Sequence, residues 1–413
     1  MINQGKSPYY EEGLQELLSK NRARIRASQD YTSAIMESDV TFIIVPTPSD
    51  SNGFFSNQYI LKAIETIAKV IKNKSSWHTV VITSTVMPGS VDGVIKKQLE
   101  ELSGKKVGVD IGLSYSPEFI ALGTVVRDML FPDFVLVGSS DPKTANILDF
   151  IYRQICGKDV IIKAMNLINA EIVKISVNTF ITTKISYANM LAEMCDKLPN
   201  ADAEVVLDAV GTDKRVGNKY LKCGLAYGGP CFARDNIAFS SLTKQLQSRD
   251  DIASSADKIN QYQSLIAVNK VKQFLEPHHK VTILGLTYKS GTSVIEESPS
   301  LKIAEDLQQA GYQVTVWDSL ANHKEVQSKL NPEILVQRNL KEAVSEAKLV
   351  LIAHKCRGMM RDILEHIHLY SPSDSYILDC SRILPQSELQ RPVLHLGRCQ
   401  TPENHSLLAE MIC

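Results

Sequence analysis

The feature that most restricts this chain is the rhythm of its apolar residues. Runs of strand length (DVTFIIVPTP, HTVVITSTV, DIGLSYSPEF, FVLVGSS, DVIIKAM) alternate with amphipathic stretches at about residues 59–72, up to about 102, and at about 144–156. Apolar runs interleaved with helices read as an open parallel sheet covered on both faces. From about residue 166 to 263 the pattern changes to long helical stretches, broken by a loop over residues 214–230 that holds glycines 217, 224, 228 and 229. Alternation then returns in KVTILGLTYK, YQVTVWDS, LVLIAHK and SYILDCSRIL, with helices expected near residues 300–310 and 340–347. The expected fold class is α/β. Two doubly wound parallel-sheet (Rossmann-like) domains, residues 1–165 and 266–413, are joined by a helical middle domain, residues 166–265. Open sheets of this kind bind ligands at the carboxyl ends of their strands, so the cleft is expected between the two sheets at those ends.

A chain of 413 residues exceeds what one hydrophobic core organises, in keeping with several domains. Forty-five basic and 46 acidic residues leave a net charge of -1, with no field that would gather nucleic acid or an anionic membrane surface. The opening residues lack a signal-peptide profile, and no apolar run approaches the ~18 residues of a membrane span, so a cytoplasmic protein is expected. Eight cysteines, at 156, 195, 223, 231, 356, 380, 399 and 413, show neither disulfide-scaffold density nor metal-ligand spacing. No metal site is expected, and most of these thiols read as small core residues.

The richest segment for chemistry is GNKYLKCGLAYGGPCFARD. Glycines flanking a Pro-Cys free the backbone for close ligand approach and present Cys231 at a loop tip beside Arg234 and Asp235, where a nearby cation would favour the thiolate. In the helical stretch at residues 171–196, Lys174 and Asn178 stand four apart on one face and could converge on one group. Ser84-Thr85 and Ser116-Pro117-Glu118 close two of the expected strands, where open sheets hold ligands. Each feature also has a plain structural reading: a buried thiol, a solvated stripe, ordinary loop ends.

The order and spacing of these segments resemble the UDP-glucose, UDP-mannosamine and GDP-mannose dehydrogenase family, along essentially the full length. The landmarks are INQGKSPYYEEGLQELL, VPTP at 45–48, STV at 84–86, SPEF at 116–119, KISVN at 174–178, RVGNKYLK at 215–222, GGPCF at 228–232, and ILGLTYK with EESP near the end. The resemblance implies NAD as cofactor, a UDP-sugar as substrate, and a two-step oxidation of the C6 alcohol to a carboxylate through a cysteine thioester. It implies Cys231 as nucleophile, Lys174 and Asn178 as stabilisers of oxyanions, and Glu118 as general acid/base, with Asp235 and Thr85 holding the hydrolytic water. It implies that Val45, Pro46, Thr47, Ser84, Thr85 and Arg234 meet the cofactor. The substrate would meet Lys222, Tyr227, Gly228, Lys289 and Arg382 besides Glu118, Lys174 and Asn178. Arg215 would reach a neighbouring subunit's site, which implies a homodimer or higher homo-oligomer built on the long central helix.

Departures from the family pattern qualify this expectation. The family opens with a strand, a G-x-G-x-x-G turn, a helix and a second strand, roughly 30 residues absent here, so the first sheet is expected to be truncated at its N-terminus. Leu122 stands at a common glutamate, Glu296 at a common arginine that meets cofactor phosphates, and Ala233-Arg234 at a common Pro-Lys. The expected function is therefore a UDP-sugar 6-dehydrogenase, with UDP-glucose as the default substrate and an N-acetylated UDP-sugar as the alternative. A catalytically impaired nucleotide-sugar binder is the competing reading. A Cys-dependent hydrolase ranks last, because no histidine lies within forty residues of Cys231 to serve as its base.

Overall fold

In the computed structural model the described residues are 1–356, 358–384 and 391–400; Cys413 lies outside them. The chain divides into two units, Met1–Val177 with Ser241–Ser248, and Asn178–Ser240 with the chain from Arg249 on. Among its elements the first unit holds α1 (Leu14–Lys20), α2 (Tyr31–Met36), β1 (Val40–Ile43), α3 (Gln58–Ile71), β2 (Thr79–Ile82), α4 (Lys96–Ser103) and β3 (Gly112–Tyr115). It continues through α5 (Val125–Leu130), β4 (Val135–Ser139), α6 (Pro142–Cys156) and β5 (Ile162–Met165).

Its sheet runs in the order β1-β2-β3-β4-β5. Every residue of β2 and β3 is buried, as expected of strands covered on both faces. Helix α3 buries Ile60, Ile64, Ile67 and Ile71, one apolar residue per turn, against one face with α4. Helix α6 places Leu148 and Tyr152 on the other face, against Val81, Val135 and Val137. Strand β1 stands at the edge, paired only with β2 among the described residues, and leaves Ile44 just beyond it 74% exposed. One expectation is corrected: β4 pairs antiparallel to β3, so this sheet is not wholly parallel. Residue periodicity reports burial but not strand direction, so the run FVLVGSS could not disclose it.

Helix α7 (Leu167–Lys197) runs 31 residues and contains the division between the units. In the second unit it is followed by α8 (Ala203–Thr212), α9 (Phe232–Gln245, whose last turn belongs to the first unit) and α10 (Asp251–Phe274). Then come β6 (Lys280–Leu284), α11 (Pro299–Gln309), β7 (Gln313–Trp317), α12 (His323–Lys329), β8 (Leu335–Val336) and α13 (Leu340–Val344). The last elements are β9 (Leu349–Ile352), α14 (Met360–Tyr370), β10 (Tyr376–Asp379) and β11 (Val393–His395).

The second sheet has the order β11-β10-β9-β6-β7-β8, with every pairing parallel. It is a doubly wound sheet whose strand order reverses between β6 and β9. Helices α10 and α11 cover one face through Val268, Val271, Ile303 and Leu307, and α13 and α14 cover the other through Val344, Ile363 and Ile367.

The segment after β11 is tied down by a buried ion pair. Lys270 Nζ donates to Asp196 Oδ1 at 2.8 Å and to the Arg398 carbonyl at 2.8 Å. Asp196 also accepts from the backbone N–H groups of Gly397 and Arg398. Removing one partner strands the other charge in the interior. Asp196→Ala is therefore expected to lower unfolding stability by about 3 kcal/mol in urea titration; a loss within the error of the titration would show that water reaches the lysine.

Candidate active site

In the second unit, Cys231 lies not on a free loop tip but at the N-terminus of α9, its carbonyl accepting the Asp235 N–H at 2.8 Å. Its side chain is exposed. Positive helix-end potential favours a thiolate there. Asp235 is buried and doubly engaged: Asn178 Nδ2 donates to Oδ2 at 2.6 Å, and Arg234 Nη2 donates to Oδ1 at 3.0 Å. Arg234 is thus joined to the carboxylate beside it.

The loop that leads to Cys231 is held by side-chain amides. Asn189 accepts from Gly224 N–H and Gln263 donates to the Gly224 carbonyl, at 3.0 and 2.7 Å. Asn260 on α10 grips Tyr227 at both backbone groups, accepting its N–H at 2.7 Å and donating to its carbonyl at 3.0 Å. The buried Tyr227 hydroxyl donates to Asp257 Oδ1 at 3.3 Å. Gly228 passes so close to the turn before α11 that a Cβ there would lie 2.1 Å from the Glu297 carbonyl oxygen. A larger residue is excluded unless the backbone moves.

In the first unit, the carboxyl ends of β1 and β2 are joined by Ser84. Its hydroxyl accepts from Val45 N–H at 2.8 Å and donates to the Val45 carbonyl at 2.7 Å. Thr47 is buried, Pro46 exposed and Thr85 partly exposed on the same rim. Thr83 Oγ1, also at the end of β2, is buried with no partner, so this rim has a hydroxyl left over for a bound group. Beyond β3, burial raises the Glu118 carboxyl above its ordinary value, with Lys174 pulling it back. Lys174 Nζ donates to the Glu118 carbonyl at 2.6 Å and sits 4.6 Å from the centroid of the Phe119 ring. Ser116, before them, bonds the Leu136 carbonyl and the Tyr152 hydroxyl.

The other residues singled out from sequence fall as follows. Lys222 is exposed, and Arg215 is exposed and paired with Asp213 at 2.6 Å. Lys289 Nζ lies 5.7 Å from the Tyr288 ring centroid. Arg382 is largely enclosed, its guanidinium bonded to Asp202 and to the Leu396 carbonyl. Glu296 is exposed, and its carbonyl accepts Gly229 N–H at 3.0 Å. Among the described residues no group of three His, Cys, Asp or Glu could hold a metal ion. No helix among them is long and apolar enough to cross a membrane.

Comparison with known proteins decides what this arrangement belongs to. Three family models match in succession: the UDP-glucose/GDP-mannose dehydrogenase family NAD binding domain at residues 1–156, its central domain at 168–262 and its UDP binding domain at 282–386. GDP-mannose 6-dehydrogenase of Pseudomonas putida is 33% identical over 395 residues, covering 92% of this chain and 87% of the relative. The chain belongs to the UDP-glucose/GDP-mannose dehydrogenase family. UDP-glucose 6-dehydrogenase YwqF of Bacillus subtilis is 30% identical over 390 residues, covering 92% of this chain and 86% of the relative. A solved UDP-glucose dehydrogenase from Pyrobaculum islandicum superposes with a TM-score of 0.84 at 27% identity, over 96% of this chain and 89% of that one. The chain is thus a member of a family of NAD-dependent nucleotide-sugar 6-dehydrogenases, and NAD is the cofactor.

Sequence reasoning missed Glu171, which is fully buried and accepts backbone N–H bonds from Gly89 and Val91 at 2.7 and 2.8 Å. It braces the turn after the Ser84-Thr85 rim. No spacing rule signals it, because its partners are backbone groups about eighty residues earlier. Burial raises its carboxyl from 4.5 to about 7, with those backbone bonds pulling downward. A folded value above the unfolded one means its contribution to stability is complete below about pH 4.5 and lost as pH rises through about 7. The stability gap between wild type and Glu171→Gln should therefore shift in favour of the variant by roughly 2 kcal/mol between about pH 5 and pH 8 in urea unfolding. A constant gap would place the titration elsewhere.

Proposed function

We propose that this family member is a UDP-glucose 6-dehydrogenase that converts the C6 alcohol to a carboxylate with two hydrides transferred. What carries the reading is Cys231, exposed at the N-terminus of α9, with the buried Asp235–Asn178 pair behind it. The matched UDP binding domain and the Pyrobaculum likeness support the UDP-sugar; the 33% identity to GDP-mannose 6-dehydrogenase favours GDP-mannose as the second reading.

In this mechanism Val45, Pro46, Thr47, Ser84, Thr85 and Arg234 hold NAD, which when bound supplies the hydride acceptor. Lys174 and Asn178 stabilise negative charge on the C6 oxygen as the alcohol loses its proton and hydride. The Cys231 thiolate attacks the aldehyde, forming a C–S bond, and the oxygen of the thiohemiacetal takes up the negative charge. After the second hydride leaves, a thioester remains. Glu118, its carboxyl raised by burial, assists water, with Asp235 and Thr85 orienting it. Hydrolysis returns the thiol and releases the carboxylate. Lys222, Tyr227, Gly228, Lys289 and Arg382 hold the nucleotide sugar, and Arg215 serves a neighbouring subunit.

The purified chain should form NADH with UDP-glucose, to be compared with UDP-N-acetylmannosamine and GDP-mannose under the same conditions. Cys231→Ser should lower carboxylate formation by at least about a thousandfold. Normal acid production by that variant would remove Cys231 from the mechanism, and turnover with GDP-mannose alone would replace the substrate.

We also propose a homodimer through α7, which exposes Phe180, Tyr187, Met190 and Met194 on one face. Met190→Glu should shift the sedimenting species toward monomer; a wild-type chain that sediments as monomer at micromolar concentration would end this proposal.

A further inference from the structure

Helix α10 carries a carboxyl that takes no part in the thioester chemistry. Asp257, half-buried, stands about one helical turn before Asn260, so the two share a face. Both hold the same residue: Asn260 grips the backbone of Tyr227, and Asp257 Oδ1 accepts its hydroxyl at 3.3 Å. The helix beneath them is fixed in turn. Ser186 of α7 donates to the Ala256 carbonyl at 3.0 Å, and Asn236 of α9 donates to the Ala253 carbonyl at 2.8 Å. Burial first, and the charge of Asp257 second, push the Tyr227 phenol well above its ordinary value, so it keeps the proton it donates. The Tyr227 ring meets Phe232 edge to face, with centroids 6.2 Å apart. Phe232 is the first residue of α9 and follows Cys231 directly. A chain of contacts thus runs from α10 through Tyr227 to the start of α9, spanning the cysteine between them.

We propose that Asp257 is a positioning residue for the nucleophile: by holding the Tyr227 hydroxyl it seats the ring against Phe232 and so keeps Cys231 at the N-terminus of α9. This rests on the reading of Cys231 as the nucleophile and adds a group that acts on it through Tyr227. The two backbone bonds from Asn260 set the place of Tyr227 but leave its ring free to turn; the bond at the far end of the ring removes that freedom. A helix end favours a thiolate only while its first turn is formed. A ring that swings away from Phe232 therefore costs ionisation at the sulfur.

The test is the pH dependence of Cys231 alkylation by iodoacetamide in the full chain, read by mass spectrometry of the peptide that contains Cys231. Asp257→Ala should raise the midpoint by about half a pH unit and slow alkylation near neutrality roughly threefold. Loss of a negative charge alone would move the midpoint the other way. Asp257→Asn, whose amide oxygen still accepts the hydroxyl, should keep the midpoint at or slightly below the wild-type value. Tyr227→Phe should reproduce the rise, and adding Asp257→Ala to it should raise the midpoint no further, because the shared contact is already lost. An unmoved or lowered midpoint in Asp257→Ala overturns the proposal, as does a rise equally large in both backgrounds. Should Asp257→Ala fail to fold, Tyr227→Phe decides alone, and an unmoved midpoint again overturns it. Alkylation needs no sugar and no NAD. A chain that does not turn over UDP-glucose would leave this result standing, and a normal dehydrogenase with an unmoved midpoint would sink this proposal alone.

Discussion

The cysteine loop depends on a close approach of backbone to backbone that only glycine allows. Gly228 runs against the Glu297 carbonyl and Gly229 against the Tyr288 ring, so the segment ending in Cys231 is seated on the turns that follow β6. The amide clamps from Asn189, Asn260 and Gln263 then leave its backbone little freedom. Preorganisation of this kind matters because a nucleophile misplaced by about 1 Å can lose about a hundredfold in rate. The cost is borne where side chains would otherwise pack, and Pro230 stiffens what the glycines loosen.

The charged residues divide by what surrounds them. Asp235 is buried yet satisfied by two donors, so it can remain a fixed acceptor. Glu118 is half-buried, and burial raises its carboxyl while Lys174 pulls it back. Lys174 Nζ donates to the backbone carbonyl of Glu118, which fixes the position of the ammonium.

Much of this was legible in the sequence. The alternation of apolar runs with helices follows from burial on both faces of a sheet, and it located β2, β3, β6, β7, β9 and β10. Glycines 228 and 229 beside Cys231 announced a tight approach, since few other uses explain such a cluster. The landmarks from INQGKSPYYEEGLQELL to EESP led to the family that the three matched domains establish.

Other features were decided only by tertiary structure, because they depend on partners distant along the chain. The antiparallel course of β4 is invisible to periodicity, which records which side faces the core and not which way the strand runs. Glu171 reads as one more helix charge until the fold brings the backbone of Gly89 and Val91 to it. Asn260 is unmarked in sequence for the same reason: its role comes from a loop that lies about thirty residues before it and is brought back by the fold. The sequence determined the residue types and the periodicities, which are local. Hydrogen bonds to backbone and the desolvation of a carboxyl are set by neighbours that chain order does not reveal.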